Sequence, residues 1–183
     1  MAKVYAMIAD GTEEVECLAV LDILRRSGIE TVLVAVGETR NVVIYHKVKI
    51  EPDATVDEID FSDGDVIFLP GGLPGSENLS SCETLIAALS RANADNRRIA
   101  AICAAPGVVL GRHGFLKDRT ATCFPGFEKE FQGGEYTRQG VVTDGNITTA
   151  RGLGFAIDLG IELVRLLIDE EAAESVKAKI QYC

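Results

Sequence analysis

Cys103 lies where the apolar run Ile99–Ile102 meets a helix that begins near Pro106. Ala101 and Ala105 flank it, and a sharp turn from a strand into a helix needs such small neighbours. A cysteine at a helix N-terminus has its thiolate stabilised by free N–H groups, so this position predicts a nucleophile with a lowered pKa. The alternative is a small buried core residue, which is the usual place of a free cysteine. The turn favours the reactive interpretation.

Gly71 and Gly72 follow the apolar run Val66–Leu69. Glycine allows backbone N–H groups to approach a ligand closely. Together with the N–H of Ala104, the Gly72 N–H is a candidate oxyanion hole. A plain tight turn explains the two glycines equally well from the local sequence.

Glu16 lies one turn into the first predicted helix, and Ala19, Val20 and Ile23 follow it at helical spacing. A carboxyl group on that inward face is costly to ionise and tends to stay protonated. It would then donate a hydrogen bond to a cysteine thiolate or sulfinate. The alternative is a solvated carboxylate at the helix start, as we expect for Glu13 and Glu14. The local sequence does not choose among the three.

Four more cysteines accompany Cys103. Cys123 follows the strand-like segment 119–122, so it is either a resolving thiol near Cys103 or a packing residue. Cys17 and Cys82 are expected to be buried fillers, and Cys183 to be exposed at the end of the chain. The odd number of cysteines and the lack of a CxxC motif argue against a disulfide framework and a zinc site.

The two histidines, His46 and His113, fall in a predicted strand and in a turn after a helix. Each is expected to be a surface residue. If neither reaches Cys103, the chain is not a Cys–His hydrolase of the usual kind. We expect no metal ion and no cofactor.

Apolar runs that predict strands alternate along the chain with stretches that predict helices. This order indicates an α/β fold with a mostly parallel sheet covered on both faces, in which ligands lie beyond the carboxyl ends of the strands. We expect a single domain over residues 1–183. The predicted strands are Lys3–Ala9, Thr31–Val36, Val42–Ile50, Val66–Leu69, Ile99–Ile102 and a hairpin of Val141–Thr143 and Ile147–Ala150. The predicted helices are one capped by Thr12 that ends near Ser27, then Glu83–Ala94, Pro106–Arg112, Phe155–Ile168 and one from Glu170.

The composition excludes several classes of protein. Lys and Arg number 18 against 28 Asp and Glu, which gives a net charge of −10 and argues against nucleic-acid binding by clustered cations. No apolar stretch approaches the ~20 residues of a membrane-spanning helix, and no export signal is visible. We therefore expect a cytoplasmic protein with reduced thiols.

Four segments in this order resemble the ThiJ/PfpI superfamily, most closely its DJ-1 branch: Gly11–Glu16, Leu69–Gly72, Ala101–Pro106 and Ala150–Gly154. The resemblance covers nearly the whole chain and implies a flavodoxin-like three-layer sandwich, usually in a homodimer. It also implies that Cys103 is a strained elbow thiol with Glu16 as its protonated partner, and that Gly72 and Ala104 supply the nearby N–H groups. Arg151, in the fourth segment, is a candidate supporting residue.

This sequence departs from the resemblance at three positions. Some members have a histidine where Cys123 stands, so that base is missing here. PfpI-type proteases have a histidine directly after the nucleophile, where this chain has Ala104, so protease activity is not expected. Leu153 stands where proline is common, and we expect little effect from that change.

Three functions remain open. The first is an enzyme that acts on small reactive carbonyls, as a glyoxalase or deglycase that needs no glutathione and protects against carbonyl or oxidative stress. The second is a redox sensor in which an oxidant converts Cys103 to a sulfinate. The third is a chaperone that holds client proteins. A role in thiazole-phosphate synthesis is less well supported.

Overall fold

The computed structural model describes residues 2–37 and 40–182. Most of its strands begin and end close to the apolar runs of the sequence. The strands are β1 (Lys3–Ile8), β2 (Glu30–Ala35), β3 (Val42–Val43), β4 (Lys49–Ile50), β5 (Ala54–Thr55), β6 (Val66–Leu69), β7 (Arg98–Ile102), β8 (Thr120–Ala121), β9 (Glu135–Tyr136), β10 (Val141–Asp144) and β11 (Ile147–Ala150).

Seven of the strands form the central sheet, in the order β10-β11-β7-β6-β1-β2-β5. Every pair in it is parallel except β10 with β11, which is the antiparallel hairpin that the sequence predicts. The parallel core follows the flavodoxin-like order, which confirms the predicted fold class. Because strands β1, β6, β7 and β11 are parallel, their carboxyl ends share one edge of the sheet.

The helices cover both faces of this sheet. They are α1 (Glu14–Arg26), α2 (Gly75–Ser80), α3 (Glu83–Ala94), α4 (Ala156–Leu167) and α5 (Glu170–Lys179), together with a π-helical segment at Pro106–Gly111. Side chains alternate along β1, so that Ala6 and Ile8 pack under α1, α4 and α5, whereas Tyr5 and Met7 face α3 and the π-helical segment. Among the described residues, no helix is long and apolar enough to cross a membrane.

The structure corrects the sequence analysis in three places. The predicted strand Val42–Ile50 is instead a short antiparallel hairpin, with His46 in its turn. The helix cap is Glu13 rather than Thr12: the Glu13 carboxylate accepts the Glu16 N–H at 2.7 Å, while the Thr12 hydroxyl accepts the Ala9 N–H. Helix α2 and strand β5 were not predicted, because six and two residues are too few to show a hydrophobic period.

Candidate active site

Cys103 directly follows β7 and has a φ of +65°. This left-handed backbone is costly for any residue other than glycine and persists only where the surroundings impose it. The Cys103 N–H donates to the carbonyl of Ala150 at 3.0 Å, and its carbonyl accepts the Phe124 N–H at 2.8 Å. Two main-chain hydrogen bonds therefore fix the turn and present a half-buried thiol at the carboxyl edge of the sheet.

Gly71 and Gly72 follow β6, which is the neighbour of β7 in the sheet. A Cβ atom at Gly71 would lie 2.6 Å from the Cβ of Cys103 and would overlap the carboxylate of Glu16. Gly72 has a φ of +90°, and a Cβ there would lie 2.5 Å from the backbone nitrogen of Glu13. Both positions need glycine because other parts of the site approach the backbone closely.

Glu16 is only 1% exposed, since the first turn of α1 directs its side chain over the end of β6. Its Oε2 accepts the Gly71 N–H at 3.1 Å, and the carboxyl group also forms a hydrogen bond with the thiol of Cys103. The structure thus brings together the thiol and the buried carboxyl group that the sequence analysis singled out.

Burial raises the pKa of Glu16 to about 7. The hydrogen bond with Cys103 and the N–H groups of Gly71 and Leu153 favour the ionised form, whereas the negative charge of Glu13 opposes it. Near neutral pH, both the protonated and the ionised form of this carboxyl group are therefore present. A group that titrates there can both donate and accept a proton during a reaction.

The thiol of Cys103 differs from the sequence-based expectation of a lowered pKa. Burial raises its pKa, and an ionised Glu16 raises it further through its charge and its hydrogen bond. The N–H groups of Gly72 and Ala104 act in the opposite direction, but more weakly. The prediction was wrong because it considered only the helix N-terminus and not the carboxylate beside the sulfur. The contribution of Glu16 disappears when Glu16 is protonated, whereas burial raises the pKa of the thiol in either case.

Cys123 and Arg151 are the two candidate supporting residues of the sequence analysis. Cys123 is fully buried, and burial raises its pKa to about 12. Arg151 follows β11, and its backbone N–H donates to Gly140. Within residues 2–37 and 40–182, its guanidinium has no hydrogen bond or ion pair with another side chain. In the part of the chain that the structure describes, neither side chain forms a hydrogen bond with Glu16.

Among the described residues, Cys17, Cys82 and His113 form no hydrogen bond with Cys103 or Glu16. Cys17 is buried, as expected, but Cys82 is half-buried at the N-cap of α3 rather than enclosed in the core. Cys183 lies outside the described residues. His113 is exposed and contacts Ser80.

Glu13, Glu14 and His46 form a separate group at the start of α1. Their potential metal-ligand atoms all lie within 4.8 Å of one another. Both carboxylates already have partners, because Glu13 caps α1 and Glu14 pairs with the exposed imidazole of His46. We interpret this group as an ion pair beside a helix cap. Glu14 is thus not the solvated carboxylate that was expected.

The sequence analysis noted Leu153 only as a departure from proline with little expected effect, and it missed the contact that this residue makes. Its backbone N–H stabilises the ionised form of Glu16, and its side chain is 50% exposed. A proline at this position would lack that N–H. The available signal was its location three residues after β11, at the same edge of the sheet as Cys103.

Comparison with known proteins agrees with this geometry. Residues 2–166 match the model of the DJ-1/PfpI family. The chain is 36% identical over 169 residues to DJ-1 homolog B of Arabidopsis thaliana, covering 92% of this chain and 39% of that protein. The chain thus spans about two-fifths of the length of this plant relative.

Two further proteins are similar over almost their whole length. The structure of oxidized DJ-1 from Toxoplasma gondii superposes with a TM-score of 0.96 at 32% identity and covers 100% of both chains. The glutathione-independent glyoxalase DJR-1.2 of Caenorhabditis elegans is 30% identical over 168 residues, covering 91% of this chain and 89% of that protein.

Proposed function

Since this chain belongs to the DJ-1/PfpI family, we propose that it converts small α-oxoaldehydes, such as methylglyoxal, into 2-hydroxy acids without glutathione. Cys103 is the nucleophile and Glu16 carries the proton. The observation that carries the proposal is the hydrogen-bonded pair of a strained thiol and a buried carboxyl group whose pKa is about 7.

The reaction begins when the sulfur of Cys103 adds to the aldehyde carbon. The ionised carboxyl group of Glu16 takes the proton of the thiol and passes it to the aldehyde oxygen, which becomes a hydroxyl group. The resulting hemithioacetal loses its C–H proton to the Glu16 carboxylate, which gives an enediolate, and the same proton returns to the adjacent carbon. The hydroxyl proton on the first carbon moves to the oxygen of the second. This isomerisation turns the hemithioacetal into a thioester of a 2-hydroxy acid. Water then releases the acid and restores the thiol. The net reaction adds one water to methylglyoxal and gives lactate.

The backbone N–H groups of Gly72 and Ala104 have a place in this scheme. They already stabilise negative charge on the sulfur, which they do by lowering the pKa of Cys103. An oxyanion that forms on the carbon bound to this sulfur would lie next to the same donors, and such preorganised N–H groups stabilise it. The similarity to a protein described as a glutathione-independent glyoxalase supports the same chemistry.

The test is sustained production of lactate from methylglyoxal by the wild type, Cys103→Ser and Glu16→Gln. We expect many turnovers per wild-type molecule and none for either variant, because each removes one of the two reacting groups. Many turnovers are needed because any thiol traps an aldehyde stoichiometrically. Cys82→Ser is the matched control, since that thiol lies at the N-cap of α3. Full turnover by Cys103→Ser or Glu16→Gln would rule out this mechanism.

A second candidate function is oxidation sensing by Cys103. One peroxide oxidises the thiolate to a sulfenate with release of water, and a second gives the sulfinate. The carboxyl group of Glu16 would donate a hydrogen bond to that sulfinate when protonated, which favours this product over further reaction. We expect mild peroxide to add two oxygens to Cys103 before any other thiol. A peptide map in which Cys82 is oxidised first would contradict this function.

We also propose that a second copy of the chain covers the apolar surface beside α1. The β3–β4 hairpin is joined to the loop before α1, since the Gly11 N–H donates to Val43 and the Tyr45 N–H to Thr12. Large apolar side chains are exposed on both elements: Val15, Leu18, Val43, Tyr45 and Val48. Light scattering should give a dimer mass that falls to the monomer in Leu18→Glu but not in Ile168→Glu. A monomeric wild type would exclude this assembly.

The chaperone function, the single domain and the cytoplasmic location stay predictions.

A further inference from the structure

Three large apolar side chains are exposed at the segments that hold the site, and we call Leu73, Phe124 and Leu153 the apolar rim. They are 41%, 49% and 50% exposed. Leu73 directly follows Gly72, and the Phe124 N–H holds the carbonyl of Cys103. Large apolar side chains on the surface next to a reactive group indicate contact with an apolar part of a ligand.

Two members of the rim, Phe124 and Leu153, adjoin each other. A Cβ atom at Gly152 would lie 3.4 Å from the ring of Phe124, so this ring packs on the backbone directly before Leu153. The N–H of Leu153 in turn acts on the carboxyl group of Glu16. Phe124 and Leu153 therefore lie side by side, and the N–H of Phe124 contacts Cys103 while the N–H of Leu153 acts on Glu16.

The charges near the reacting pair also favour an uncharged ligand. Among the described residues, no Lys, Arg or His side chain forms a hydrogen bond or ion pair with Cys103 or Glu16. The charged side chain that acts on Glu16 is Glu13, which is negative, and the chain carries a net charge of −10. A carboxylate or phosphate held against the reacting pair would be repelled by Glu13 and by ionised Glu16.

On the basis of the proposed function, we propose that the site prefers uncharged α-oxoaldehydes with an aryl or branched alkyl group, and that it rejects carbonyls that carry a carboxylate or phosphate. The aldehyde carbon lies at Cys103, and the apolar group is removed from water against the rim. Burial of one apolar group in such a site changes kcat/KM roughly tenfold or more.

The test compares four substrates: glyoxal, methylglyoxal, phenylglyoxal and 4-carboxyphenylglyoxal. The last two differ by one carboxylate, so their ratio measures the rejection of charge. We expect kcat/KM to be at least about tenfold higher for phenylglyoxal than for methylglyoxal. We expect it to fall by a similar factor for the carboxylated analogue. Both Phe124→Ala and Leu153→Ala should reduce the preference for phenylglyoxal over methylglyoxal. Ile168→Ala, which removes an exposed apolar side chain at the end of α4, should leave it unchanged.

The outcomes separate this inference from the proposed function. If the wild type turns over methylglyoxal but shows no preference for phenylglyoxal, the inference is wrong and the glyoxalase function stands. A preference that both rim variants retain would also overturn it, because the preference would then come from the reactivity of the aldehyde. If no α-oxoaldehyde is turned over, the proposed function itself fails.

Discussion

Replacement of Gly71 by alanine would test the geometry of the site most directly. Its added Cβ would lie 2.6 Å from the Cβ of Cys103 and 3.0 Å from the carbonyl oxygen of Ile102, and it would overlap the carboxylate of Glu16. Ordinary carbon contacts are about 3.5–4.0 Å, so the overlap with Cys103 is about 1 Å. The first two neighbours are fixed to the backbone, so a change of side-chain rotamer relieves only the third.

We expect two consequences of Gly71→Ala. Overpacking of this kind costs about 1–3 kcal/mol of unfolding free energy, which corresponds to a melting temperature lower by roughly 2–12 °C in a chain of this size. Displacement of the thiol or the carboxyl group by about 1 Å lowers the rate about a hundredfold. Chemical denaturation measures the first effect, and lactate production from methylglyoxal measures the second.

The matched control is Gly154→Ala, because no atom lies within 4 Å of a Cβ at that position. Neither Gly71 nor Gly154 has a φ in the left-handed region, so alanine is not strained there by the backbone and the comparison isolates the steric effect. If Gly71→Ala and Gly154→Ala have the same unfolding free energy and the same rate of lactate production, then Gly71 is not in close contact with Cys103 and Glu16.

Three further predictions follow from the same site. The pKa of Glu16 is raised from 4.5 to about 7 in the folded protein, so the wild type loses stability as the pH rises through that range. Urea unfolding at a series of pH values should show this loss relative to Glu16→Gln, and it should reach about 3 kcal/mol above pH 7. An equal dependence on pH in both proteins would place the Glu16 carboxyl group in solvent. Leu153→Pro removes the N–H that stabilises ionised Glu16, and proline is compatible with the first position of a 3₁₀ turn. The pKa of Glu16, measured by carboxyl NMR, should therefore rise in Leu153→Pro but not in Leu153→Ala. Equal values in the two variants would contradict that contact. Because the φ of Cys103 is +65°, Cys103→Gly should be more stable than Cys103→Ala by about 1 kcal/mol in the same unfolding assay, and the opposite order would contradict the strained turn.

Hydrophobic patterning predicted most of the sheet because its central strands are buried on both faces. β1, β6 and β7 have nearly continuous apolar runs, and β11 was predicted from the turn signal between it and β10. The structure places each of these four strands within about one residue of its predicted bounds. The pattern was less informative at Val42–Ile50, where alternating residues indicated one strand and the structure has a hairpin. The hairpin is held by hydrogen bonds to the loop before α1, such as the one from the Gly11 N–H to Val43, and no local pattern encodes these partners.

The sequence by itself determined that a cysteine stands at a turn from a strand into a helix, between small residues, and that a glutamate begins the inward face of the first helix. These are local features, because residue size, capping and helical spacing depend on near neighbours. Only the tertiary structure decided which of three glutamates reaches Cys103, because that choice depends on how α1 passes over the end of β6. It also decided the direction of the thiol pKa and the contact from Leu153, since burial and charge depend on groups far apart in the chain.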